Sequence, residues 1–320
     1  MKISVVATMY YSAPYLASFH DRVRKALAKL TDDYEILLVN DGSPDDSLER
    51  ALELVERDAR LLVVDLSRNF GHHRAILAGL EHAQGDLIFV LDSDLEDDPA
   101  WLTLFYETMT AEDHVDAVYG MQRRRKGGWF ERSSGWLFYS LFNLFSGIRI
   151  PRNTTTARLL TRRFVNSLLR FRETDPFLNG LWHIVGYRQV GIFVDKGHKG
   201  TTTYSLRRKT HLLVTAITSF SDRPLVMIFY TGLLILLLSG CYIAYLIMAR
   251  LFFNITVDGW TSLITSLWFL GGLTIFFLGV VGIYLSRIYT ETKGRPRTLV
   301  REVYRRSSAD RSVRRESVDG

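Results

Sequence analysis

The run Gly85-Asp86-Leu87-Ile88-Phe89-Val90-Leu91-Asp92-Ser93-Asp94-Leu95-Glu96-Asp97-Asp98-Pro99 limits what this chain can fold into more than any other stretch. Five consecutive apolar residues, Leu87 to Leu91, read as a strand buried on both faces, as in a parallel sheet. Asp92, Asp94 and Glu96 fall beyond that strand's carboxyl end, where ligands bind in open α/β sheets. Carboxylates so close together repel unless a cation sits between them. Hard oxygen donors suit Mg²⁺ or Mn²⁺, and those ions usually join one or two carboxylates to substrate phosphates. Taken alone, the stretch equally suits a solvated loop, with Asp97-Asp98-Pro99 as the cap and first turn of a helix. Its surroundings decide.

Residues 2–8 and 34–39 read as apolar strands, as do 61–66. Between them, 14–30 reads as a helix with Tyr15, Leu16, Phe19, Val23, Leu27 and Leu30 on one face, and 47–58 as a second helix. Strands alternating with helices predict a doubly wound parallel sheet. Asn40-Asp41-Gly42-Ser43 follows the second strand directly, and Asp41 is a candidate for facing a bound nucleotide. Ser67-Arg68-Asn69-Phe70-Gly71-His72-His73-Arg74 leads into a helix over 75–82. Adjacent side chains diverge, so His72 and His73 read as structural or substrate-facing rather than as joint metal ligands.

Several classes are excluded. No Gly-x-Gly-x-x-Gly follows the first strand and no Gly-x-x-x-x-Gly-Lys-Ser/Thr occurs, which argues against a nicotinamide dehydrogenase and a P-loop NTPase. The single cysteine, Cys241, removes disulfide frameworks and thiolate metal sites. The net charge of +6 suggests an anionic partner, but no zinc-finger or ribonucleoprotein spacing supports nucleic acid.

Four motifs in order, at Val5 to Tyr10, Asn40-Asp41-Gly42-Ser43, Arg68-Asn69-Phe70-Gly71 and Asp92-Ser93-Asp94-Leu95-Glu96-Asp97, resemble glycosyltransferase family 2. Within that family the chain looks like the polyprenyl-phosphate glycosyltransferases, the group of dolichol-phosphate mannose synthase. The resemblance implies a GT-A fold, Rossmann-like and mostly parallel, with a nucleotide-sugar donor and a divalent metal. It implies a donor pocket of Thr8, Tyr10, Asp41, Asp92 and Ser93, and a metal held by Asp94 with Glu96, where relatives often have glutamine. Many relatives carry a proline and an Asn-Glu pair in the first motif. Here Thr8-Met9-Tyr10-Tyr11-Ser12 stands instead, so the nucleoside is not assigned.

Tyr119 is followed by a basic cluster, Arg123-Arg124-Arg125-Lys126, which beside a metal–diphosphate site can grip phosphate oxygens. Residues 129–145, with Arg132 among many aromatics, read as a helix in a membrane interface. Where relatives have an aspartate two residues before an arginine, this chain has Thr156 before Arg158. A sugar hydroxyl acceptor needs a general base. A phosphate monoester, carrying roughly −1.5 to −2 charge, does not. The missing carboxylate therefore favours a phosphate acceptor and equally permits an inactive protein. Residues 195–204 read as a loop in which Lys196 and Lys199 take over phosphate contacts, with Thr203 where relatives have lysine. Residues 206–220 read as a basic amphipathic helix on anionic headgroups.

Residues 225–249 and 263–286 carry no charge, and each is long enough to cross a bilayer core of roughly 30 Å. Their connection, 252–261, lacks Lys and Arg, whereas Lys293, Arg295, Arg297, Arg301, Arg305 and Arg306 follow the second run. The positive-inside rule puts that end, and so the front of the chain, in the cytoplasm at the plasma (inner) membrane. No secretory signal precedes the first strand, which agrees. The expected organisation is a GT-A domain over 1–205, a juxtamembrane helix over 206–223, two transmembrane helices over 224–288 and a basic cytoplasmic tail over 289–320 that is disordered from 307. The expected activity is metal-dependent, inverting transfer from a nucleoside diphosphate sugar to a polyprenyl (undecaprenyl) phosphate. Asp94, Arg158 and Arg123 are its catalytic candidates, and Arg124, Arg132, Lys196 and Lys199 its acceptor-phosphate ligands. A homo-oligomer is the protein partner left open. The rival readings are a glycan-extending transferase, which lacks its usual Gln-x-x-Arg-Trp motif here, and a membrane scaffold that binds nucleotide sugar without turnover.

Overall fold

A computed structural model describes residues 1–122, 151, 153–195, 221–253, 259–306 and 313–316. Its apolar runs become strands β1 (Ile3–Met9), β2 (Tyr34–Asn40), β3 (Leu61–Leu66) and β4 (Leu87–Asp92). All four are parallel, and β1 lies between β2 and β4. The chain steps outward from β1 to β2 to β3, then returns to place β4 on the other side of β1. The β1–β4 boundary is thus the point where strand order reverses, and in an open α/β sheet the crevice opens there. In the register, Thr8 sits opposite Asp92.

Strand side chains alternate between faces with a period of two. Ile3, Val5, Ala7 and Met9 join a core with α1 (Leu16–Leu27), α2 (Ser47–Arg57) and α4 (Trp101–Ala111). Phe89 and Phe105 meet edge to face there, with ring centroids 6.0 Å apart. The other face carries α3 (His72–His82), which reaches the sheet at Gly79. A Cβ at Gly79 would lie 2.4 Å from a Val6 methyl and 2.8 Å from a Val39 methyl. The same parity puts Thr8 and Asp92 on the α3 face. Helix α3 starts three residues earlier than the apolar spacing indicates, because its first turn, His72-His73-Arg74, has no apolar residue to mark it.

Beyond α4 the sheet turns mixed. Strand β6 (Thr154–Thr161) runs antiparallel to both β4 and β5 (Ala117–Met121), and β7 (Gln189–Phe193) runs parallel to β5. Two short helices, α5 (Arg162–Leu168) and α6 (Leu178–Ile184), lie between β6 and β7 in the chain. The 289–320 tail is not a separate tail. Val300–Arg306 forms β8 antiparallel to β3, and Val313–Glu316 forms β9 antiparallel to β8, whereas the rest of the 307–320 stretch, expected to be disordered, lies outside the described residues. Tyr304 enters the core with α2 and β3. The strand escapes a period-two reading because the register slips against Asp65 and Leu66, leaving Arg301 as the bulged extra residue.

A second compact unit comprises the described residues between 221 and 294. It contains α7 (Arg223–Phe253) and α8 (Trp260–Thr292), which cover both uncharged runs. Tyr284 donates a hydrogen bond to the Ser221 carbonyl, 2.7 Å away. Among the described residues one stretch, Ser262–Thr292, is long and apolar enough to cross a membrane, and Arg223–Ser239 is a shorter apolar one. The interfacial and amphipathic helices expected over 129–145 and 206–220 lie outside the described residues.

Since Gly79 lets α3 touch the sheet, Gly79→Val should cost about 1–3 kcal/mol through overpacking. Denaturant unfolding of the detergent-solubilised chain measures it; a loss below a few tenths would mean α3 is not seated there.

Candidate active site

The site is built where β1 and β4 end. Thr8 Oγ1 donates to Asp92 Oδ1 at 3.2 Å. His72, the first residue of α3, brings Nδ1 to 3.3 Å from that hydroxyl and 3.5 Å from the same carboxylate oxygen. Asp92 remains one quarter exposed and His72 nearly half exposed, so the cluster faces solvent. Gly71 precedes His72 with φ +97°, a backbone angle that lets the chain turn abruptly into the helix.

Behind this cluster a buried hydroxyl network ties three loops together. Ser93 Oγ lies 2.7 Å from the Thr8 carbonyl oxygen and 2.9 Å from Ser12 Oγ. Ser12 N–H donates to Ser47 Oγ at 2.9 Å, and Ser47 Oγ donates to Asp45 at 2.6 Å. Ser43 Oγ donates to the same Asp45 oxygen and accepts from Tyr11 N–H at 2.8 Å. Burial raises the Asp45 carboxyl, but the Ser43 and Ser47 donors outweigh it and hold it below its ordinary value. Tyr11 takes φ +54°, and its ring meets Tyr10 edge-on at 4.9 Å, leaving two exposed aromatic rings on the loop after β1.

Asp41 has a role its position in the motif did not suggest. Its buried carboxylate accepts from Phe70 N–H at 2.7 Å and Gly71 N–H at 3.0 Å. It clamps the loop that launches α3. Burial pushes its carboxyl above the usual range, against the two amides that stabilise the charge. Gly42, with φ +59°, packs so close that a Cβ would lie 2.5 Å from the Asn69 nitrogen.

The acidic loop is held at both ends. Glu96 N–H donates to Asp94 Oδ1 at 3.0 Å, and Leu95 between them adopts φ +63°, uncommon for a residue with a branched side chain. Fully buried Asp97 accepts from Ala157 N–H of β6 at 3.0 Å, fixing the loop to the sheet rather than capping a helix. Asp98 accepts from Ala100 N–H, and α4 begins at Trp101. Asp94 and Glu96 stay partly exposed. Among the described residues no three His, Cys, Asp or Glu side chains surround one ion position. Two hard carboxylates on one loop nevertheless fit Mg²⁺ or Mn²⁺, which take their remaining ligands from substrate phosphates and water.

Arg158 on β6 is buried, with its guanidinium 5.2 Å from the Tyr119 ring centroid and 5.1 Å from that of Trp182. Burial, aided by the Arg158 charge, lowers nearby His183 to about 4. Arg123, Arg124, Arg132, Lys196 and Lys199 lie outside the described residues. The structure therefore brings Thr8, Asp92 and Ser93 together, with Tyr10, Asp94 and Glu96 on the adjoining loops and Asp41 one layer behind. It adds Ser12 and Asp45, which the sequence did not point to, and places His72, left open as structural or substrate-facing, beside Asp92. The signal for His72 was glycine directly before a helix start.

The family model for glycosyl transferase family 2 matches residues 4–169. A protein described as putative glycosyltransferases from Mycobacterium tuberculosis is 47% identical over 95% of this chain and 89% of its own length. The uncharacterized glycosyltransferase YkcC of Bacillus subtilis is 34% identical over 95% of this chain and 94% of its own. The prophage bactoprenol glucosyl transferase homolog of Escherichia coli is 30% identical over 95% of this chain and 99% of its own.

Two histidines give the fold a pH limit. Burial, with the neighbouring His72 charge, lowers His73 to about 4, and His183 is lowered similarly. Both are depressed below their unfolded value near 6.5, so the unfolded chain binds more protons between those values. Stability should be full above about pH 6.5 and fall progressively toward pH 4. Thermal unfolding from pH 7.5 to 4.5 checks this; His73→Gln should flatten the slope, and an unchanged slope would contradict a His73 held neutral in the fold.

Proposed function

The chain belongs to glycosyl transferase family 2, and from that premise we propose that it moves a sugar, with inversion, from a nucleoside diphosphate sugar to a polyprenyl phosphate at the cytoplasmic membrane surface. The observation that carries this reading is Asp92 pinned by Thr8 at the switch point, with Asp94 and Glu96 on the strained loop beyond it. The Escherichia coli relative is named for bactoprenol glucosyl transfer over nearly its whole length, which supports a polyprenyl phosphate acceptor and makes glucose the first sugar to test.

Each part of the site has a task in this reaction. Tyr10 and Tyr11 offer ring faces to the base. Asp92, oriented by Thr8 and His72, accepts hydrogen bonds from the nucleoside. A divalent cation held by Asp94 with Glu96 would supply positive charge to the leaving diphosphate. The acceptor phosphate oxygen forms a bond to the anomeric carbon as the bond from that carbon to the diphosphate breaks, so the electron pair leaves with the nucleoside diphosphate. The acceptor is already an anion, so no proton has to be removed, and Thr156 in place of a carboxylate is compatible with turnover. Arg158 adds positive potential, and Arg123, Arg124, Arg132, Lys196 and Lys199 are assigned to the phosphates of donor and acceptor.

Connectivity supports the reading of two membrane crossings. The chain leaves the sheet after β7 and returns to it as β8, with α7 and α8 in between. A chain that begins and ends in one sheet crosses a bilayer an even number of times. Leu237, Leu238, Leu267, Trp268, Ile275 and Phe276 are all exposed, which suits lipid contact. Basic residues following α8, and none in the 252–261 connection, support a cytoplasmic catalytic domain. Tethering also raises the effective concentration of a lipid acceptor.

Purified chain in detergent, given undecaprenyl phosphate, Mg²⁺ or Mn²⁺ and labelled nucleotide sugars, should pass label from one donor into the organic phase, and chelator should stop it. Asp94→Ala should lower that transfer by about a hundredfold or more while leaving thermal unfolding unchanged. Full activity in Asp94→Ala would sink the metal assignment. Nucleotide binding with no transfer from any donor would favour the scaffold reading. A reporter inserted within 252–261 should be accessible from the side opposite residues 1 and 306; same-side access would contradict two crossings.

A further inference from the structure

Strand β8 lies on the far side of the sheet from β4, yet one of its residues reaches toward the donor loops. Arg301 is the bulged residue of the β3–β8 pairing, and bulges re-aim side chains. Its guanidinium forks between two partners. One nitrogen donates to Asp65 Oδ2 at 3.1 Å and another to the Ser67 carbonyl at 2.7 Å.

Both partners continue inward. Asp65 is fully buried on β3, and its other oxygen accepts from Asn40 Nδ2 at 2.8 Å. Asn40 ends β2, and its Oδ1 accepts from Ser43 N–H at 3.1 Å. Ser43 in turn receives Tyr11 N–H, so this line ends at the aromatic pair. Ser67 begins the segment whose far end, Phe70-Gly71, Asp41 clamps before His72. Burial pushes the Asp65 carboxyl up, and the Asn40 amide and Arg301 charge oppose that shift. A buried carboxylate with one amide donor and one guanidinium sits in a fixed orientation, so its state is transmitted to Asn40.

We propose that Arg301 is a positioning residue for the nucleotide-sugar donor: through Asp65, Asn40 and Ser43 on one side and Ser67 on the other, it sets the two loops that flank the donor. The proposal rests on the donor reading above. It makes the segment after the apolar helices a support for the donor loops.

The test uses the full chain in detergent and titrates UDP and GDP with Mn²⁺ by calorimetry, then compares KM for the active donor with kcat. Arg301→Ala should bind the nucleotide about tenfold more weakly and raise KM with little change in kcat. Arg301→Lys keeps a charge for Asp65 without the fork, so it should fall between Ala and wild type. Exposed Arg305, on the same strand, is the control, and Arg305→Ala should bind as wild type does. Wild-type affinity in Arg301→Ala would overturn the proposal, as would an equal loss in Arg305→Ala. Should Arg301→Ala fail to fold, Arg301→Lys decides, and wild-type affinity there overturns it. A wild-type chain that binds neither nucleotide would instead overturn the donor reading, and this proposal with it.

Discussion

The in-register parallel pairing of β1 with β4 is the constraint on which the rest depends. Both strands are buried on both faces, so a slip of one residue would turn every apolar side chain to the wrong layer. That register sets Thr8 opposite Asp92 and puts both on the α3 face, where His72 meets them. The site is therefore fixed by core packing more than by its own contacts. Gly79 matters for the same reason, since it brings α3 onto Val6 and Val39.

The acidic residues divide into two groups by what they bind. Asp41, Asp65 and Asp97 are buried and take up donors of the protein itself: the Phe70 and Gly71 amides, Asn40 with Arg301, and the Ala157 amide. Each replaces lost hydration with hydrogen bonds, which is the condition for keeping a charge inside. Asp92 at the end of β4, and Asp94 and Glu96 on the loop beyond it, are partly exposed, and Asp97 holds that loop to the sheet. The buried carboxylates form the frame, and the exposed ones are those the proposed reaction assigns to substrate and metal.

The parallel half of the fold was legible because its strands are continuous apolar runs that end in turn residues, and strands 61–66 and 34–39 fall almost where expected. Three features were not. The start of α3 lacks apolar residues, so its boundary was set late and the place of His72 was left open between a structural and a substrate-facing role. Strand β8 alternates badly because of the bulge at Arg301, and its arginines resemble a membrane-flanking tail. Asp41 sits where a motif suggests nucleoside contact, but sequence carries no sign that Phe70 and Gly71 would turn their amides toward it. In each case the deciding contact is with a partner far away in the chain.

The proposed place of the donor is at the carboxyl ends of β1 and β4, and hydrogen–deuterium exchange tests that directly. The full chain in detergent would be exchanged alone and with UDP-glucose or GDP-mannose, each with Mn²⁺. One of them should protect amides around residues 10–12, 41–43, 70–74 and 93–97 and little else in the catalytic sheet. Saturable binding that protects other segments while these four exchange as before would contradict it.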